Sequence, residues 1–229
     1  MTESADISLP RPVKAVIFDM DGLLVDTESL FRDVLMESSR LRGVDLPLPV
    51  FLRMVGLQAG ASRAVAMAHF GEDFDYEPWM AQAWALAHAR LEVGVALKDG
   101  VLELLDYLEA TGLPRAVATS SGHASVERQL GPGGLLPRFQ AIIAAGDYAR
   151  GKPAPDPYIA AAARLEIDPA ACLALEDSHN GVRAAHAAGM MTIMVPDLLE
   201  ATPEMRALCV AISGTLHEVR AMLEAQRGG

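Results

Sequence analysis

The stretch VIFDMDGLLVDTES, Val16 to Ser29, sets two carboxylates two positions apart, Asp19 and Asp21, behind an apolar run and follows them with Gly22. Such a pair could hold a divalent cation, or divide the roles of nucleophile and proton carrier, or form the polar exit of a strand, because Asp and Gly are turn residues. A calcium loop starting at Asp19 fails: its fifth and sixth positions would be Leu23 and Leu24 and its twelfth Leu30, where oxygen ligands and a glycine are required. Comparable groups follow other apolar runs. Thr119, Ser120 and Ser121 end one, Lys152 stands in GDYARGKPAPDPY after another, and Glu176 and Asp177 open EDS after a third. Each has an ordinary reading by itself: helix-capping hydroxyls, a solvated lysine, acids favoured by a helix N-terminus. Together they are chemically coherent, with carboxylates for a divalent cation and hydroxyls plus a lysine for an anion.

Elements must bring these groups together. Five short runs, AVIF (Ala15 to Phe18), RAVAT (Arg115 to Thr119), AIIAA (Ala141 to Ala145), CLALE (Cys172 to Glu176) and MTIMV (Met191 to Val195), are continuously apolar, as in strands covered on both faces. Helical patterns separate the last four. DGVLELLDYLEATG opens with Asp99 as the expected N-cap and stops at Gly112, DPYIAAAARLEI and SHNGVRAAHAAGM behave similarly, and TLHEVRAMLEA carries a capping-box pair, Thr215 and Glu218. This alternation predicts an α/β fold, a Rossmann-like parallel sheet flanked by helices. In such sheets ligands bind outside the carboxyl ends of the strands, where all of the polar groups above fall. Between Glu28 and about Leu97 only amphipathic helix patterns occur, so a helical cap subdomain inserted after the first strand is expected at 28–97, with the core formed by 1–27 and 98–229.

Composition excludes several classes. In 229 residues, 51% hydrophobic and 21% charged, a sizeable core can be buried. Nineteen Lys and Arg against 30 Asp and Glu, a formal charge of −11 with no basic cluster, argue against a nucleic-acid partner. The start MTESADISLPRP lacks the basic and apolar regions of a secretory signal, and every long apolar stretch carries charges, so no membrane span is expected. Cys172 and Cys209 read as buried small hydrophobes in a reducing, cytoplasmic setting. The six histidines show no metal-ligand spacing, His123 and His179 read as helix-start surface, and Trp79 and Trp84 as packing residues.

The order of the motifs resembles the haloacid dehalogenase superfamily, in particular its helical-cap phosphatases and β-phosphoglucomutase-like members. FDMDGLLVDTE looks like the first motif, Thr119 in ATSS the second, Lys152 in GKPAPDPY the third and EDS the fourth, a match that runs through essentially the whole chain. The resemblance implies Asp19 as nucleophile forming an aspartyl-phosphate, and Asp21 as the acid and base. It implies Mg²⁺ held by Asp19, the Asp21 carbonyl and Asp177 with support from Glu176, and phosphoryl oxygens held by Thr119, the Ser120 amide and Lys152. Gly22 permits the tight turn after the acid pair.

Within the family, hydrolytic dehalogenases resemble this chain but lack the second aspartate, so Asp21 with Asp177 favours phosphoryl transfer. β-Phosphoglucomutases carry a histidine where this chain has Phe31, and a cap arginine where MVGLQAGASR has Ala59, with Arg63 a helical turn later. These departures favour a phosphatase acting on a small phosphorylated metabolite, such as a sugar phosphate, over the phosphomutase alternative. A non-catalytic binding protein on the same fold is a third reading, disfavoured by the complete acid pair. Arg53 and Arg63 are the candidate substrate contacts of the cap.

Overall fold

The computed structural model describes residues 9–55, 57 and 59–228; residues 1–8, 56, 58 and 229 lie outside the described residues. Six strands form one parallel sheet: β1 (Ala15–Phe18), β2 (Arg115–Gly122), β3 (Ala141–Ala145), β4 (Cys172–Glu176), β5 (Met191–Met194) and β6 (Ala211–Ile212). Their spatial order is β3-β2-β1-β4-β5-β6, so the winding reverses between β1 and β4. All five apolar runs predict strands covered on both faces; all four residues of β1 and of β5, all five of β4 and the first five of β2 are buried, whereas β3, at the sheet edge, is buried only at Ile143 and Ala144. Strand β6, only two residues long, is too short for periodicity to reveal.

Between the strands run α1 (Thr27–Leu41), α2 (Leu48–Leu52), α3 (Ala59–Phe70), α4 (Tyr76–Val93), α5 (Val101–Ala110), α6 (His123–Leu130), α7 (Asp156–Arg164), α8 (His179–Ala187), α9 (Pro203–Leu208) and α10 (Leu216–Gly228). The chain divides into two compact units, 1–25 with 97–229, and 26–96. The sequence pattern predicts the insertion at 28–97. In the first unit, alanines carry the packing: Ala161 and Ala162 of α7 and Ala184 and Ala185 of α8 cluster with Ala15, Ala116, Ala118 and Ala174 of the sheet. Small side chains on both partners allow close helix–sheet approach, and Ile17, Ile143 and Tyr158 fill the remaining volume.

Two helix starts differ from expectation. The N-cap of α5 is Gly100 at φ +83°, while Asp99 lies 3.3 Å from His217; a Cβ at position 100 would meet the backbone of His217, so glycine and not an aspartate cap fits there. At α10 half of the box forms, the Glu218 amide donating to Thr215 Oγ1 at 3.4 Å, but the Glu218 carboxylate accepts from the Gly214 amide at 2.8 Å, one residue upstream of the box pattern, and from the Ser213 hydroxyl at 3.0 Å. No helix among the described residues is long and apolar enough to cross a membrane.

The second unit is held by α1 against α4. Trp79 is wholly buried, donates to Ser39 Oγ at 3.0 Å and meets the Phe70, Phe74 and Tyr76 rings at centroid distances of 5.5 to 5.6 Å. Trp84 differs from the expected packing role: it is 46% exposed and meets Phe31 edge-on at 5.0 Å. Five residues along a helix of 3.6 per turn rotate it about 140° from Trp79, so one core cannot take both. Truncation of Trp79 to alanine should destabilise this unit by about 3–5 kcal/mol. Urea unfolding followed by far-UV circular dichroism measures the loss, whereas Trp84→Ala should cost well under half as much.

Candidate active site

Strand register determines which groups meet. Phe18 pairs with Leu175 of β4 and with Val117 of β2, so Asp19 follows β1 beside Glu176 of β4, with Thr119 one residue further along β2 than the position that faces Asp19. The Asp19 amide donates to the Leu175 carbonyl at 3.0 Å and carries the ladder one residue past β1. The acid pair therefore stands at the place where the strand order reverses, the crevice in which open α/β sheets bind ligands.

Lys152, on the connection between β3 and α7, has a side chain only 6% exposed and donates both to Asp19 Oδ1 and, at 2.6 Å, to Glu176 Oε1. Glu176 is wholly buried and fully engaged. Its Oε1 also accepts from the Tyr158 hydroxyl at 2.6 Å, and its Oε2 accepts from the Ser178 amide at 3.1 Å and hydroxyl at 3.0 Å. It thereby anchors Lys152 and the start of α8 together. Gly181, one turn into α8, leaves room for it, because a Cβ there would overlap the Glu176 carboxyl group. Tyr158 and Ser178 were not singled out from sequence; a tyrosine in an apolar helix pattern carries no mark of the carboxylate it will meet.

Ligand oxygens of Asp19, Glu176 and Asp177 lie within 4.8 Å of one another. One ammonium does not balance these buried acids. Burial pushes the Asp19 carboxyl up to about 8, with the charges of Glu176 and Asp21 acting in the same direction and Lys152 offsetting only part. Burial alone would lower Lys152, but Asp19 and Glu176 outweigh it and hold the ammonium above its ordinary value. Burial, then the Glu176 and Asp19 charges, keep the Tyr158 phenol protonated well above its usual range. A buried cluster made entirely of oxygen donors and carrying surplus negative charge fits a small, hard divalent cation.

The hydroxyl groups lie in the irregular end of β2, where pairing with β3 shifts register between Ala118 and Gly122. Thr119 is buried, with its carbonyl accepting from the Tyr148 hydroxyl at 3.0 Å and its Oγ1 from the Ser121 amide at 3.0 Å; Ser120 is exposed. Ser121 Oγ donates to Asp21 Oδ2 at 2.7 Å, tying the second aspartate to the second strand. Sequence inspection noted that hydroxyl without assigning it a task. Gly22, at φ +86°, also has a steric reason to be glycine, because a Cβ would run into the Asp177 carboxylate.

Arg53 caps the C-terminus of α2 and is exposed. Arg63 has its guanidinium 5.3 Å from the centre of the Tyr76 ring and its Nε 3.5 Å from Glu77. His123 and His179 are the first residues of α6 and α8, in contact with Asp147 at 3.0 Å and the Glu200 carbonyl at 2.9 Å, as expected for helix-start surface. Both free cysteines are shielded, and burial pushes each thiol up to about 11.

A sequence model of the haloacid dehalogenase-like hydrolase family matches residues 13–189. Protein CbbY of Rhodobacter capsulatus is 35% identical, over 80% of this chain and 86% of its own. Hexitol phosphatase B of Escherichia coli (strain K12) is 33% identical, over 83% and 86%. A haloacid dehalogenase family hydrolase of Deinococcus radiodurans R1, solved with bound phosphate and sodium, matches with a TM-score of 0.81 at 28% identity, covering 93% of this chain and 96% of that one. The matched span contains the strand ends that gather the carboxylates, the hydroxyls and the lysine, and this chain belongs to the haloacid dehalogenase-like hydrolase family.

Proposed function

We propose that the protein is a Mg²⁺-dependent phosphatase that hydrolyses a small phosphorylated metabolite, a sugar phosphate or similar monoester, through an aspartyl-phosphate on Asp19. One observation carries this reading: oxygens of Asp19, Glu176 and Asp177 converge, Lys152 donates to the first two, and Ser121 of β2 holds Asp21. The similarity to a hexitol phosphatase supports the substrate class. In this reading 1–27 with 98–229 is the catalytic core, and 28–97 is the cap that selects substrate, with Arg53 and Arg63 as candidate contacts.

An oxygen of Asp19 attacks phosphorus in line, and the bond to the leaving alkoxide breaks as that oxygen takes a proton from Asp21. Asp21, now a base, then takes a proton from water, which attacks the same phosphorus and returns the carboxylate of Asp19 with release of phosphate. Thr119 Oγ, the Ser120 amide and the Lys152 ammonium hold the phosphoryl oxygens. Asp19, the Asp21 carbonyl and Asp177 would hold Mg²⁺, with Glu176 behind them; when bound, the cation offsets the repulsion between a carboxylate and a phosphate dianion. Ser121 is a positioning residue, since its hydroxyl directs the Asp21 carboxyl group. The phosphomutase alternative draws no comparable support, because Phe31, where mutases of this family resemble one another in having histidine, packs on Trp84.

Purified protein with Mg²⁺ should release phosphate from members of a sugar phosphate panel, EDTA should stop it, and Asp19→Asn should abolish turnover while leaving the circular dichroism spectrum unchanged. Release that survives EDTA or the Asn variant overturns the mechanism, and faster interconversion of glucose 1-phosphate and glucose 6-phosphate than phosphate release selects the mutase. Ser121→Ala should lower kcat roughly tenfold, the worth of one hydrogen bond to a charged group, with KM little changed.

The metal-free protein also has a pH signature. Its Asp19 carboxyl, at about 8 against an ordinary 3.8, binds a proton more tightly in the folded chain than in the unfolded one. Between those values the folded state carries the extra proton, so stability falls as pH rises through that window. A cation must displace this proton, so Mg²⁺ affinity should rise by up to about tenfold per pH unit until about pH 8. Calorimetric titration at pH 6, 7 and 8, in buffers of different ionisation enthalpy, measures both the affinity and the released proton.

A further inference from the structure

Asp197, in the loop after β5, is a carboxylate that none of the roles above uses. Its side chain is only 10% exposed, and Oδ1 accepts from Lys98 Nζ at 2.8 Å. The other oxygen, Oδ2, is buried and receives no hydrogen bond from any described residue. A buried carboxylate oxygen without a donor is costly, so its setting must supply one. That setting is the turn after the acid pair. A Cβ built on Gly22 would lie 3.5 Å from Asp197 Oδ2 while running into the Asp177 carboxylate, so the two carboxylates abut the same side of one glycine. A cavity of about 170 Å³ with room for several waters is lined by Gly22, by Lys98, the partner of Asp197, and by Pro196, the residue before it, though by neither carboxylate itself.

We propose that Asp197 is a positioning residue of the cation site: Lys98 holds Oδ1, and Oδ2 accepts a hydrogen bond from a water in the shell of the cation carried by Asp177. The inference rests on the Mg²⁺ reading above and assigns the outer-shell acceptor that this reading leaves open. Small hard cations keep several waters, and carboxylates that orient such waters contribute to affinity without touching the metal. The polarity is specific. In Asp197→Asn the amide oxygen stays with Lys98, and an NH₂ group takes the place of Oδ2, so a donor faces the water where an acceptor is needed.

Mg²⁺ binding to the full-length protein, followed by isothermal titration and by the Mg²⁺-induced rise in Tm, tests this apart from turnover. Asp197→Asn and Asp197→Ala should each weaken Mg²⁺ roughly tenfold, and the nearly isosteric Asn variant should keep a metal-free Tm close to that of the parent. Mg²⁺ affinity equal to the parent's in Asp197→Asn overturns the proposal, as does a Mg²⁺-bound crystal structure of the unmutated protein with no water between the cation and Asp197 Oδ2. The crystallographic arm holds even where a variant fails to fold. Absence of Mg²⁺ binding by the unmutated protein would instead overturn the metal reading itself, while loss of binding in Asp177→Asn alone would overturn only the role of Asp197.

Discussion

The contact on which the rest depends is the ammonium of Lys152, shared by Asp19 and Glu176 at the ends of two adjacent strands. Lys152 comes from the β3–α7 connection, yet it meets carboxylates of β1 and β4, so a single charge ties three parts of the sheet together. Removing it would leave buried acids facing one another, and burial with mutual repulsion already lifts Asp19 far above an ordinary carboxyl. The same shortage of positive charge that makes the cluster costly makes it a receptor. Under the proposed function, a cation and a phosphate dianion facing Lys152 would enter a site whose dipoles are already fixed by the fold.

That arrangement constrains its surroundings. Glu176 can remain fully buried because four donors satisfy it, two of them from the first residue of the turn into α8. Gly181 and Gly22 are then fixed by space: each faces a carboxylate where any side chain would stand, and Gly22 adds a left-handed φ. The alanine-rich faces of α7 and α8 belong to the same set of constraints. They let these helices approach the sheet closely enough for Tyr158 of α7 to reach Glu176 at the end of β4.

Much of this was legible in the sequence because buried parallel strands are written as continuous apolar runs and their ligands as polar residues just beyond. AVIF, RAVAT, AIIAA, CLALE and MTIMV lie at β1 to β5, differing by at most a few residues at one end. What stayed hidden were contacts set by register and rotation. Ser121 meets Asp21 across 100 residues, and Asp197 meets Lys98 across 99, separations at which no local pattern operates. Trp84 looked like Trp79, and only the phase of α4 separates a half-exposed ring from a buried one. Asp99 had the composition of a cap, but the close approach of the His217 backbone makes Gly100 the residue that starts α5.

The restraint on Asp21 bears on the choice between water and a second sugar hydroxyl as acceptor. A mutase must keep its acid-base from activating water while a bisphosphate turns over, which calls for a group that engages the carboxyl only when the right substrate is present. Here Asp21 is already held by Ser121, a residue of its own compact unit, in a contact made without any substrate. Phe31 offers neither a donor nor an acceptor, and its ring is committed to Trp84 within the helical unit. With Ser121 already on the Asp21 carboxyl, these residues favour the attack by water proposed above, and in that proposal specificity would fall to the helical unit and to exposed groups such as Arg53.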